Sequence, residues 1–398
     1  MKTKSSKKLL KKSRLKVLFV SSSNAGTGFY RMWQFREEML RQKVYAAIPW
    51  YNFNNVHAQE WQWHIHDDHQ VSGSKGMWAQ AVQAADIVII QYLHTMEALA
   101  LFEALRDSFN HIADQRGEPR KIFLTEIDDY VHETPVDFEC FESYKPGEKY
   151  RVVVEEQIKA FDGVIVSTPY LKEAYSSLND NIWIVPNAID FEDWDKIEKV
   201  HAKNETRIGW SGGGNHREDL LTIKEPLEKY LTESKDVTLH MVHGMPDDFK
   251  DKPKVVWHKH FVSPNKWPKR LTKVGFDIGL CPLQPNDFKK AKSNLRRLEY
   301  AALGIPVLAR KWGHLEDTVE HGKDGFLYET EQEFAQYLDI LVKNKELRED
   351  MGRHNYLTAK RDFSLESVTK HYIEVLREAI GRGSQWIEPQ PEATLQAR

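Results

Sequence analysis

Apolar positions fall in short, near-continuous runs separated by stretches with helical spacing. LKVLFVS (Leu15 to Ser21) is the first such run, and ADIVIIQYL, KIFLTEID, GVIVSTP and NIWIVPN follow, the last ending near Asn187. Strands buried on both faces lose the alternation of a half-exposed strand and read this way. Helical patterns lie between them, as at Tyr30 to Arg41 and Met96 to Ser108. Strands alternating with helices predict a parallel sheet covered on both faces.

The pattern then restarts. TRIGWSGG, VTLHMVHG, KVVWHKHF, FDIGLCPL and GIPVLAR are the strands of a second half, and the polar segment Asp190 to Glu205 reads as the linker. Ser364 to Gly381 is an amphipathic helix with a serine at its start and a glycine at its end. The predicted class is α/β, with two Rossmann-like, doubly wound parallel-sheet domains. The divisions are a basic tail (1–15), a first domain (16–195), a second domain (196–363), a C-terminal helix (364–382) and a loose tail (383–398).

Composition changes this picture little. A chain of 398 residues suits two domains at about 150 residues each. The formal net charge of -3 excludes a general polycation, although MKTKSSKKLLKKSRLK at the N-terminus is strongly basic and could meet anionic lipid or nucleic acid phosphate. No run approaches the ~18 apolar residues of a membrane span, and VLFV is too short for a signal-peptide core. The 2 cysteines, Cys140 and Cys281, exclude a disulfide framework, so a reducing, cytoplasmic setting is expected.

In open α/β sheets, ligands bind beyond the carboxyl ends of the strands. TRIGWSG ends in Ser211, Gly212, Gly213 and Gly214, with His216 and Arg217 just after. Glycines there let backbone approach a ligand, a helix N-terminus favours an anion, and Arg217 adds charge. FDIGLCPL leads to a helix from Asn294 to Leu303, for which Ser293 is the expected N-cap. Lys292 precedes the cap and Arg296 lies on the first turn, so dipole and cations favour one anion. Glu299 shares the face of Arg296 at i, i+3. A carboxylate beside a phosphate site is suited to two ribose hydroxyls.

The order DIGLCPL, KSNLRRLEYAALGIPV, Gly313-His314-Leu315-Glu316 and DGFL, over Phe276 to Leu327, resembles the donor half of a GT-B glycosyltransferase, with the closest likeness to the GT4-like group. SGGGNHRED resembles that family's first donor loop. The resemblance implies that Lys292, Ser293, Arg296 and Arg217 hold a diphosphate and that Glu299 binds the ribose. Asn294 and His216 would complete the donor site, and Glu316 would sit near the loop that approaches the donor. It implies a retaining, metal-independent transfer with no cofactor, a nucleotide-diphosphate sugar as co-substrate, UDP favoured over GDP, and a C-terminal helix that crosses back to brace the first domain. One departure stands out: Ala291 occupies the position where many retaining members carry the first of two Glu.

In the first half, Gly26, Thr27 and Gly28 follow the first strand, but Arg31 stands where a dinucleotide fingerprint needs its third glycine. This loop is expected to border the cleft, with Arg31 reaching into it. His94, Asp128 and Asp129 also follow strands. Asp128 or Asp129 is the candidate for orienting or deprotonating an acceptor hydroxyl, and His94 resembles in position the cleft histidine of related transferases, which implies contact with the donor sugar. Trp33, Trp50, Tyr51, Phe53, Trp61, Trp63 and Trp78 suit a saccharide or lipid-linked glycan acceptor, which is ranked above the alternative of a hydroxymethylated base in viral DNA. A sugar-nucleotide epimerase and a non-catalytic nucleotide-sugar-binding protein are the remaining alternatives. The cluster His64 to His69 and the triplet Asp193-Trp194-Asp195 carry metal-ligand residue types, but no metal is expected at either.

Overall fold

The computed structural model describes residues 15–23, 25–47, 64–65, 71–72, 77–136, 138, 141–198, 200, 205–213, 216–260 and 262–385. Two six-stranded sheets, parallel throughout, form its two halves. In the first, β1 (Lys16–Val20), β2 (Tyr45–Ala47), β3 (Ile87–Ile90), β4 (Ile122–Ile127), β5 (Gly163–Val166) and β6 (Ile182–Ile184) are ordered β2-β1-β3-β4-β5-β6. In the second, β7 (Thr206–Gly212), β8 (Val237–His243), β9 (Val255–His258), β10 (Ile278–Cys281), β11 (Val307–Arg310) and β12 (Gly325–Tyr328) are ordered β9-β8-β7-β10-β11-β12. All four residues of β3 are buried, as are all four of β5 and β10, which is why these strands read as unbroken apolar runs.

Each sheet reverses its strand order once, between β1 and β3 and between β7 and β10. A crevice opens at such a reversal because the flanking connections leave in opposite directions. After β1 the chain forms Gly26–Gly28, a π-helical turn Phe29–Trp33, and α1 (Gln34–Arg41). Gly28 is required there, since a Cβ would lie 1.6 Å from the Ser23 carbonyl oxygen. After β10 come α2 (Leu295–Ala302), α3 (Lys345–Phe363) and α4 (Leu365–Gln385).

The chain passes between the halves twice, and the two passages are bonded together. The Ile189 amide donates to the Phe363 carbonyl (3.0 Å) and the Leu365 amide to the Ile189 carbonyl (2.9 Å). From there α4 packs on the first domain. Leu365, Val368, Tyr372 and Leu376 join the core of Phe19 and Phe35, with Tyr372 edge-on to both rings. Gly381 does not end this helix, which continues to Gln385. Within Asp190 to Glu205, expected as a polar linker, Phe191–Asp195 is helical, and Phe191 and Trp194 are buried in the second domain's core. The helix expected to end at Ser108 runs on to Arg116, where Gly117 takes the left-handed conformation that closes it.

Candidate functional site

The two crevices face each other across a cavity of about 540 Å³. From the first domain it is lined by Gly26, Thr27, Tyr30, Arg31, Asp128, Asp129 and Asn187. The second contributes Ser211, Gly212, Gly213, His216, Trp267 and the run Lys292, Ser293, Asn294, Leu295, Arg296, with Glu299 one turn further. Tyr30 and Glu299, 269 positions apart in sequence, thus share one space.

Glu299 is buried and holds its carboxylate with two donors that sequence reading missed. The Tyr30 hydroxyl (3.0 Å) and Trp267 Nε1 (2.8 Å) both donate to Oε1. Oε2 has no hydrogen-bond partner among the described residues. Burial pushes the Glu299 carboxyl up to about 7, against the pull of Tyr30, Arg296 and Trp267. Arg296 lies over the Trp210 ring (5.4 Å) and donates from Nε to the Ser211 carbonyl (2.7 Å). Gly212 is needed beside it, since a Cβ would meet the Trp210 ring at 2.7 Å and Arg296 Nη2 at 3.0 Å.

The N-terminus of α2 opens on the cavity through Ser293, Asn294 and Leu295. The cap is Asn294, one residue later than expected, because the Ser293 hydroxyl is taken by Asn187 Nδ2 across the cleft (2.7 Å). Both polar side-chain atoms of Asn294 are buried with no hydrogen-bond partner among the described residues, and the residue is 1% exposed. Lys292 Nζ reaches Asp129 Oδ1 of the other domain (2.6 Å) and lies over the Phe288 ring. His216 Nδ1 meets Asp219 Oδ2 (2.7 Å), and the same oxygen takes Lys289 Nζ (2.9 Å). Burial and Arg296 hold the His216 imidazole down at about 4, so it stays neutral, with Nε2 free of the Asp219 contact.

On the first domain, Asp128 Oδ1 accepts from the Tyr92 hydroxyl (3.0 Å), which itself accepts from the Asp128 and Asp129 amides. Burial, with the neighbouring Asp129 and Glu126 carboxylates, pushes Asp128 up to about 7. Arg31 borders the cavity, but its guanidinium is committed inward. Nε binds Glu126 (2.6 Å), and Nη1 binds the Val185 carbonyl (2.8 Å) and Asn187 Oδ1 (3.0 Å).

Several candidates lie elsewhere. His94 lines an adjoining cavity of about 230 Å³ with Asp128, Asp129, Tyr92, Phe138, Tyr144 and Phe288, and its Nε2 has no hydrogen-bond partner among the described residues. Arg217 is turned away from the central cavity and bound to Asp248 (2.8 Å) and Glu218. Glu316 is exposed on a short helix beside Lys290 and Tyr170, in a separate cavity. Gly28 packs against the Ser23 backbone. Trp33 faces a cavity on the hinge side with Phe29 and Trp194. Asp193 pairs with Lys196, and Asp195 with Lys360. Gly214, Trp50, Tyr51, Phe53, Trp61, Trp63 and His66 to His69 lie outside the described residues. Tyr30 and Trp267 sit at a strand-end helix and at the start of a helix after β9. The latter strand end (VSPNKWP) carried the signal that would have found Trp267.

Residues 227–374 match the family described as Glycosyl transferase-like. Spore coat protein SA of Bacillus subtilis is 25% identical over 120 residues, which is 29% of this chain and 30% of that protein. Glycogen synthase of Thermus thermophilus is 38% identical over 78 residues, 20% of this chain and 17% of that enzyme. The matched stretches thus span less than a third of these relatives' own lengths. Among solved structures, Anabaena Alr3699/HepE in complex with UDP-glucose is similar over 92% of this chain and 100% of that one, with a TM-score of 0.60 and 15% identity. The catalytic domain of Arabidopsis thaliana starch synthase IV, bound to ADP and acarbose, is similar over 93% and 100%, with a TM-score of 0.59 and 12% identity. The chain therefore has the GT-B fold, and its residues 227–374 are similar in sequence to the glycosyl transferase-like family.

Proposed function

We propose that the protein transfers a sugar from a nucleotide-diphosphate donor to an acceptor hydroxyl across the interdomain cavity. One observation carries this reading. A helix N-terminus, Lys292 and Arg296 gather positive charge at one end of the cavity, and a buried carboxylate with an uncommitted oxygen, Glu299, stands one turn away. The charge would stabilise the departing diphosphate, where negative charge grows in the transition state, so transfer would need no metal. Glu299 would take the ribose hydroxyls. Neighbours of the same fold were solved with UDP-glucose or with ADP, and we favour a UDP-sugar.

The acceptor would enter the adjoining cavity beside Asp128 and Asp129. Its rings (Tyr92, His94, Phe138, Tyr144, Phe288) and carboxylates, with no Lys or Arg among the described lining residues, suit an uncharged saccharide. Asp128 would accept a hydrogen bond from the acceptor hydroxyl. With its carboxyl at about 7, turnover is expected to rise as pH climbs through 7 and to lose that rise in Asp128→Asn. The variant should lose about tenfold in kcat/KM for acceptor, the worth of one bond to a charged group, and keep its UDP affinity. A flat wild-type profile would remove Asp128 from this role.

A thermal-shift and hydrolysis panel with UDP-, GDP-, ADP- and TDP-sugars, each with and without EDTA, tests the whole reading. Stabilisation by a UDP-sugar, unaffected by EDTA and accompanied by slow release of UDP, is expected. Interconversion of UDP-N-acetylglucosamine with its epimer would instead mark an epimerase. No response to any nucleotide sugar would sink the donor site.

A further inference from the structure

Three consecutive residues ahead of α2 clasp three consecutive strand ends of the other domain. The Ala291 carbonyl accepts from Thr168 Oγ1 (3.1 Å) after β5, Lys292 Nζ donates to Asp129 Oδ1 (2.6 Å) after β4, and Ser293 Oγ accepts from Asn187 Nδ2 (2.7 Å) after β6. The middle contact differs from its neighbours, because it is an ion pair that lines the cavity on both sides. Its cation is also one of those assigned to the donor. In this structure that lysine is neutralised by a carboxylate of the opposite domain.

We propose that Asp129 is a built-in stand-in for the donor's phosphate, holding Lys292 and the two domains together until a nucleotide diphosphate displaces it. The proposal rests on the donor-site reading above. Displacement hands Lys292 to the phosphate and frees the Asp129 carboxylate, which already borders the acceptor cavity beside Asp128. Donor binding and completion of the acceptor site become one event, so the donor binds first. The clasp also sets donor affinity below what the cations alone would give, because each binding event must break an ion pair.

Calorimetric titration of UDP, GDP and ADP into the full chain tests this, using wild type, Asp129→Asn, Asp129→Ser, Lys292→Met and Asp129→Asn/Lys292→Met. The pair is partly exposed, at 21% and 33%, so its loss should tighten nucleotide binding by about two- to fivefold. Both Asp129 variants should bind more tightly than wild type, and the gain should vanish when Lys292 is Met. Melting curves check that the variants are folded. Two Asp129 replacements guard against a defect particular to one. Unchanged or weaker binding in both would overturn the stand-in while leaving the donor site in place. A gain as large in the Lys292→Met background would also overturn it, since the effect would then be a general loss of negative charge. If no nucleotide binds any of the five proteins, the donor-site reading falls and the clasp falls with it.

Discussion

Glu299→Ala is expected to weaken UDP-glucose binding about a hundredfold, with the fold retained at a lower melting temperature. Two ribose hydroxyls bonded to one carboxylate are each worth about 1.5–3 kcal/mol, and a total near 3 kcal/mol is about a hundredfold in Kd. Alanine also strips the acceptor from the Tyr30 hydroxyl and Trp267 Nε1, so some stability is lost as well. Glu299→Gln separates the two effects. Its amide oxygen keeps both protein bonds and gives up only the charge, so the melting temperature should hold while affinity drops about tenfold. The pH dependence has opposite signs for folding and for binding. The carboxyl is raised from its unfolded value near 4.3 to about 7, so its contribution to folding is fully present below ~4.3 and is lost as pH rises to 7. Ribose hydroxyls donate to the ionised form, so affinity for UDP-glucose should rise from pH 6 to pH 8 and be flat in Glu299→Gln. Equal donor affinity in wild type and both variants would end the ribose assignment.

The features legible in the sequence share a physical cause. Ten of the twelve strands in the two six-stranded sheets were legible as short apolar runs, and most of these, such as β3, β5 and β10, are buried on both faces. The two that were not, β2 and β12, are three- and four-residue strands, Tyr-Ala-Ala and Gly-Phe-Leu-Tyr, whose runs are too short and too poor in β-branched residues to stand out. Lys292, Arg296 and Glu299 were legible because they lie close together in sequence, Lys292 just ahead of α2 and the other two one turn apart on it. Tyr30 was not. It meets Glu299 from 269 positions away, placed by a π-helical turn that no periodicity announces. Arg217 shows the reverse error. Its charge was correctly noted, but Asp248 and Glu218 lie close enough to claim it, and only the fold reveals that. Ser293 looked like a cap because local chemistry favours serine there, until Asn187 took its hydroxyl from the other domain.

Arg31→Met is expected to destabilise the protein by about 3–5 kcal/mol, the range for breaking one side of a buried ion pair. Arg31 is 1% exposed and its partner Glu126 0%, and without the guanidinium the carboxylate keeps, among the described residues, Gln91 Nε2 (3.0 Å) as its side-chain donor. At about 2–4 °C per kcal/mol for a domain of this size, the first domain should melt some 10 °C lower. Replacing both partners is the informative control. Arg31→Met/Glu126→Leu leaves no uncompensated charge and should recover most of the loss. The double variant also decides what Arg31 does for the site. Nη1 holds Asn187 Oδ1, and Asn187 in turn holds Ser293 at the mouth of α2, while Nη2 is buried without a hydrogen-bond partner among the described residues. If Arg31 acts only as scaffold, the refolded double variant should bind UDP within a few-fold of wild type. A loss of tenfold or more at restored stability would mean that Nη2 reaches the donor phosphate itself, which returns Arg31 from the scaffold to the binding site.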